Sequence, residues 1–256
     1  MIGAIAGDMI GSPYENRPIK TVAFPMTVAG CTDDTILTVA VAHAIVTGTD
    51  YRVSIKSFAQ EFPNLPYGGS FRYWIWDPKS KPYNSYGNGS AMRVSAVGFA
   101  FESIEEVMVQ ARRSAEVSHN HPEGIKGAQA TALAVLLARK GEDKTTIREQ
   151  IEARFAYDLG RTVDDIRPGY SFDVTCQGSV PESIIAFLDA EDYETTVKNA
   201  ISLGGDADTM ACIAGGIAQA FYKAIPVDIV LQVRNKLPQV LLEVLDQFND
   251  KFNCEF

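Results

Sequence analysis

The chain has 256 residues, a formal net charge of −9, and apolar and charged fractions of 46% and 21%. That length builds a full hydrophobic core, and the composition is ordinary for a globular protein. The negative balance argues against non-specific binding to nucleic acid or to an anionic membrane, both of which need basic surfaces.

The four cysteines, Cys31, Cys176, Cys212 and Cys254, are scattered without a C-x-x-C pair. Zinc ligation and a disulfide framework are therefore disfavoured. No apolar run has bilayer length, and the first residues lack the positive start of a signal peptide. A cytoplasmic location is the expectation, and a monomer is expected with it.

Ile2, Ile5, Ala6, Met9 and Ile10 recur at helical spacing, and Gly11-Ser12-Pro13 should end that helix. A loop then reaches to Gly30. The second helix is expected over about 33–48, with Gly48 as its C′ residue, and a short one over about 54–62. Residues 63–93 are rich in Pro, Gly, Tyr, Ser and Asn. They read as a long loop, of the kind that carries function, with a helix starting at its end. Ser103-Ile104-Glu105-Glu106 is a capping-box pattern. Helices follow over about 123–140 and 146–157, and residues about 158–178 look irregular. Ser179-Val180-Pro181-Glu182 reads as a second capping box opening a helix to Leu188. Asp192 caps the next, which ends at Gly204, and the last two follow Pro226 and Pro238. With roughly ten helices, weak strand alternation and no fixed-period repeat, the expectation is one all-α domain over residues 1–256.

Two stretches carry the chemistry. Gly204-Gly205-Asp206-Ala207-Asp208-Thr209 opens an apolar helix, and so does Thr32-Asp33-Asp34-Thr35. Either could simply cap its helix. Two together gather hard oxygen donors, which suit Mg²⁺, Mn²⁺ or Ca²⁺ rather than zinc or copper. Four aspartates exceed the need of one Mg²⁺ and suit a pair of ions sharing a carboxylate. Glu15 is a solvated carboxylate or part of that site. His119 and His121 read as structural. Gly87-Asn88-Gly89-Ser90 is a turn or a phosphate cradle. Trp74 and Trp76 read as packing residues or ligand lining.

Taken together these stretches resemble the ADP-ribosylglycohydrolase family over nearly the whole chain. The pieces stand in order: Gly7-Asp8 to Pro13-Tyr14-Glu15, Thr32 to Thr35, Gly87 to Arg93, His119-Asn120-His121-Pro122-Glu123, Ser179-Val180-Pro181, and Gly204 to Thr209. The resemblance implies a single compact all-α domain with a central cleft holding two Mg²⁺ or Mn²⁺ ions. It implies ligation by Thr32, Asp33 and Asp34 on one side and by Asp206, Asp208 and Thr209 on the other, with Glu15 or Asp34 as the catalytic carboxylate. Asn88, Gly89, Ser90 and Met92 match the loop that cradles diphosphate and ribose. His119 matches a residue on the adenosine side, and Tyr170 or Phe172 lies where an aromatic stacks on adenine. The implied substrate is ADP-ribose joined to an acceptor on protein, nucleic acid or a small molecule. Ser85 departs from the pattern of arginine-specific members, which carry a carboxylate there. A metal-dependent nucleotide pyrophosphatase or phosphohydrolase and a non-catalytic ADP-ribose binder are the alternatives.

Overall fold

The computed structural model describes residues 1–23 and 26–256. Among them are fifteen α-helices and no strand; the only β pairing is an isolated bridge between Gly87 and Thr175. In chain order the helices are α1 (Ile2–Gly11), α2 (Asp33–Thr47), α3 (Tyr51–Glu61), α4 (Gly69–Trp76), α5 (Gly89–Met92), α6 (Ser95–Ala100), α7 (Ile104–Glu116) and α8 (Pro122–Arg139). They continue as α9 (Lys144–Phe155), α10 (Val163–Ile166), α11 (Cys176–Leu188), α12 (Tyr193–Ser202), α13 (Ala207–Tyr222), α14 (Val227–Lys236) and α15 (Gln239–Phe252). No helix among the described residues is long and apolar enough to cross a membrane.

Seven of the fifteen starts are set by a side-chain oxygen taking an N–H that the first turn cannot pair, Thr162 at α10 among them. Thr32, Asp50, Ser103, Asp143, Thr175 and Asp192 all do this. The left-handed Gly48 closes α2, as its sequence suggests.

Three expectations are corrected. The stretch 63–93 is not all loop, because α4 forms inside it. Phe71, Trp74 and Ile75 bury one face of that helix, and the Phe71 and Trp74 rings stack at 5.3 Å. Its eight residues are too few to show a helical period between flanking glycines and prolines. The irregular stretch 158–178 contains α10, a single turn closed by a Thr162–Asp165 capping box. Ser179 to Glu182 is not a capping box. The helix starts earlier, at Cys176, where Thr175 Oγ1 accepts the Gly178 N–H at 3.1 Å. Ser179 Oγ instead donates to the Thr175 carbonyl at 2.6 Å, Glu182 turns to Arg161, and Pro181 sits inside the helix. The surplus over the expected number of helices is made of short ones such as α5, α6 and α10.

The core is one contiguous cluster. At its centre α1, buried from end to end, runs antiparallel to α13, buried from Ala207 to Ala220. Glycines make this approach possible. A Cβ on Gly7 would lie 2.0 Å from the Ala211 carbonyl oxygen, and one on Gly11 2.5 Å from that of Ala207. The backbones are therefore in direct contact, and no larger residue fits. Gly3 N–H donates to Gln219 Oε1 at 2.8 Å, and Tyr193 Oη donates to the Gly3 carbonyl at 2.6 Å, locking the far end.

Gly7→Ala should therefore push α1 off α13 and cost about 3 kcal/mol, the upper range for overpacking. Gly30→Ala, where nothing lies within 4 Å, is the control and should be near neutral. Urea denaturation followed by circular dichroism measures both.

Candidate active site

The α1–α13 contact puts the carboxyl-terminal end of α1 beside the start of α13, and Asp8 then brings α2 to the same place. Asp8 is fully buried. Its Oδ2 accepts the N–H groups of Thr32 and Thr35, each at 3.1 Å, and its Oδ1 accepts the Thr32 hydroxyl at 2.8 Å. The Thr35 hydroxyl also donates to it. Asp8 is thus a cap for α2 supplied by another helix. The sequence reading named Asp8 only as part of a motif. Its signal was a lone carboxylate on an otherwise apolar helix.

With α2 held this way, Asp33 and Asp34 open toward Asp206 and Asp208. A cleft of about 540 Å³ is lined by Glu15, Asp33, Asp34, Asp206, Asp208 and Thr209 on one wall. Asn88, Gly89, Met92 and His119 stand on the other, with Val174 and Thr175 at the rim. Asp206 heads α13 without capping it, so its carboxylate is free to face the cleft, where Asn88 Nδ2 donates to it at 2.8 Å. Oxygens of Glu15, Asp206 and Asp208 lie within 4.8 Å of one another, close enough to hold a metal ion. Asp33 and Asp34 line the same cleft outside this tight triad.

Crowded, buried carboxylates resist ionisation. Burial, then repulsion from Asp8, lifts Asp33 to about 7. Burial, then Asp206, lifts Asp208 to about 10. Asp34 is raised well above its ordinary value by burial and then by Asp208, and Glu15 is raised by burial and then by Asp206. Asp34 Oδ2 is buried and has no hydrogen-bond donor. An orphaned carboxylate oxygen among like charges is costly, and a hard cation is the group that satisfies it. The donor set therefore fits a metal ion.

Among the described residues the opposite wall carries no carboxylate, and its one cation, Arg93, is buried. His119 is buried, and burial and then the Arg93 charge hold its pKa well below the ordinary value, so it is uncharged. Its Nδ1 lies 2.8 Å from Ser118 Oγ, which accepts from Arg93 Nη2 at 3.0 Å. A Cβ on Gly89 would sit 3.1 Å from His119 Nε2, so that nitrogen faces the loop. The sequence reading missed Arg93 and Ser118, since nothing local marks a buried arginine or a serine behind a histidine.

Of the residues expected at the site, four do not reach the cleft wall. Thr32 Oγ1 is engaged with Asp8 and accepts from the Asp34 N–H at 3.2 Å. Ser90 Oγ donates to the Gly124 carbonyl at 2.7 Å. Tyr170 donates its hydroxyl to the Gly178 carbonyl at 2.7 Å and lays its ring against Gly205. Phe172 is 51% exposed at the surface.

The chain is similar to known proteins over most of its length. The chain is 28% identical to a cattle (Bos taurus) protein named ADP-ribosylhydrolase ARH3, with 87% of this chain and 83% of the relative covered. The human (Homo sapiens) ARH3 is 27% identical over 87% and 84% of the two chains. A solved chain from an ADP-ribosylglycohydrolase-related protein complex shares the fold at a TM-score of 0.76 and 22% identity, covering 100% of this chain and 96% of that one. The sequence profile of the ADP-ribosylglycohydrolases matches residues 1–255, and the chain belongs to that family.

Proposed function

We propose that this chain is a divalent-cation-dependent hydrolase that cuts the glycosidic bond between ADP-ribose and an acceptor, releasing ADP-ribose. The supporting observation is the meeting of Glu15, Asp34, Asp206 and Asp208 with the Gly87–Met92 loop across one cleft, in a chain of this family. Asp33 and Asp34 would hold one ion, with Thr32 behind them tied to Asp8 rather than ligating, and Asp206, Asp208 and Thr209 the other, both Mg²⁺ or Mn²⁺. When bound, these ions supply Lewis-acid character and grip for ribose hydroxyls.

The chain's own groups do the rest. Gly89 and Ser90 are the first residues of α5, where helix geometry leaves N–H groups free for a diphosphate. Asn88 holds Asp206 in place through its amide. Water adds to the anomeric carbon as the bond from that carbon to the acceptor breaks. Glu15 or Asp34 takes one proton from the water as the water oxygen bonds to the anomeric carbon. That carboxyl or solvent returns one proton to the departing acceptor, so that the elements of water are divided between ADP-ribose and acceptor. The transition state is oxocarbenium-like, and the surrounding carboxylates favour its positive charge.

Ser118 sets the direction of one further hydrogen bond. Its oxygen accepts from Arg93, and in this reading its proton is directed at His119 Nδ1, 2.8 Å away. The imidazole proton is thereby on Nε2, where it donates toward ligand at the Gly87–Gly89 loop.

Three measurements test the reading. Mg²⁺ or Mn²⁺ should raise the melting temperature of the chelator-treated protein, because the ions relieve carboxylate repulsion. Asp34→Asn should abolish that rise along with activity, and Glu15→Gln, which removes one carboxylate of the Glu15–Asp206–Asp208 triad, should diminish the rise and lose kcat by about a hundredfold or more. The product should be ADP-ribose; AMP appearing from ADP-ribose would establish the pyrophosphatase instead. Ser118→Ala should raise KM by up to about tenfold, the worth of one neutral hydrogen bond, with kcat little changed.

A further inference from the structure

The outer face of α4 is not explained by packing. Phe71, Trp74 and Ile75 are buried, while Arg72, Tyr73 and Trp76 point out on the other side, in line with Gly69 at helical spacing. Tyr73 is 83% exposed and Trp76 59%. This stripe begins at the cleft. Gly68, Gly69 and Phe71 line its mouth, and the chain beyond α4 returns to the cleft wall at Tyr83.

The same region reverses the charge of the protein. Residues 52–86 hold five lysines and arginines against two carboxylates, Glu61 and Asp77, in a chain whose net charge is −9. The loop after α4 is pinned onto α3 by two of these cations. Arg52 donates to the carbonyls of Pro78 and Ser80, and Lys56 donates to the Asp77 carbonyl at 2.6 Å and to Ser80 Oγ at 2.8 Å. All those acceptors are neutral. None of Arg52, Lys56, Arg72, Lys79 and Lys81 is within ion-pair distance of a carboxylate among the described residues. Lys79 and Lys81 are exposed on this pinned loop.

We propose that this face seats the acceptor part of the substrate, and that the acceptor is a single-stranded nucleic acid. The inference rests on the hydrolase reading: the ADP-ribose unit fills the cleft and the strand leaves it over α4. Phosphates meet Lys79 and Lys81, with Arg72, whose Nε and Nη2 donate to the Tyr67 and Leu65 carbonyls at 3.0 and 2.8 Å, adding its charge beside them, and bases stack on Tyr73 and Trp76. Unpaired cations interleaved with exposed rings are the chemistry of single-strand binding. An acidic peptide would use the charges and leave the rings idle.

The test separates binding from turnover. A labelled, unmodified single-stranded oligonucleotide and a polyglutamate peptide of similar length are titrated with the protein by fluorescence anisotropy. The oligonucleotide should bind, and more weakly as salt is raised. Lys79→Glu with Lys81→Glu should weaken it about tenfold or more, and Trp76→Ala should weaken it about fivefold or more. These side chains are exposed, so neither variant threatens the fold, and both should hydrolyse a small ADP-ribosyl conjugate at the wild-type rate. On an ADP-ribosylated oligonucleotide they should lose kcat/KM through KM. Oligonucleotide affinity unchanged by either variant would overturn the proposal. So would polyglutamate binding as tightly as the strand and indifferent to Trp76→Ala. Failure of the wild type to hydrolyse any conjugate would instead sink the hydrolase reading, and the anisotropy result would show it separately.

Discussion

A buried carboxylate with four donors holds this site together. Asp8 has no solvent to share its charge, so it must be fully hydrogen-bonded or strongly destabilising. Thr32 and Thr35 provide both backbone and hydroxyl donors, and all of them belong to the first turn of α2. The electropositive start of that helix adds to the match. One side chain of α1 thus fixes the position and angle of α2. The glycine contact of α1 with α13 fixes the other half. Neither aspartate stretch finds the other directly. Both are referred to α1, and the cleft is what remains between them.

This arrangement sets two electrostatic demands against each other. Helix N-termini attract negative charge, which lets Asp33, Asp34 and Asp208 crowd into the first turns of α2 and α13. Crowding then makes each carboxylate harder to ionise, and burial is the larger cause for all three. Partial charges at two helix ends cannot offset several full ones. The unpaired Asp34 oxygen is what that imbalance leaves, and in the proposed reading a cation offsets it. Rigid placement by the core is what allows such repulsion to persist in the folded chain.

The all-helical class was legible because long apolar periods such as those of α8 and α13 carry their own signature. Both aspartate stretches were legible because their residue types are chemically restrictive. What escaped was decided by contacts far apart in sequence. The capping of α2 by Asp8 spans 24 residues, and no local pattern announces it. The start of α11 was misplaced because Ser-Val-Pro-Glu looks like a cap, with proline in the first turn, while the true cap is Thr175, four residues earlier. The helix α4 was hidden because its aromatic residues bury against α3 rather than repeat over several turns. Arg93 and Ser118 became visible only once α5 and the end of α7 were seen to meet behind His119.

The distribution of charge follows from the same layout. Arg93 is the only lysine or arginine among the described residues lining the cleft, and it is buried, with Nη2 turned to Ser118 and to the Ser114 carbonyl. A free ammonium or guanidinium beside Asp33, Asp206 and Asp208 would pair with them and compete with a cation for their oxygens. In the proposed reading the phosphates of ADP-ribose are therefore left to neutral donors, the N–H groups of Gly89 and Ser90 and the Nε2–H of His119. Apart from the buried Arg93, positive charge stays outside the cleft, and Arg52, Lys56, Arg72, Lys79 and Lys81, on and around α4, make no ion pair among the described residues. On the same reading the carboxylates for the sugar and the neutral donors for the diphosphate share the cleft, and the cations for the acceptor stay outside it, because a free cation inside would neutralise the carboxylates.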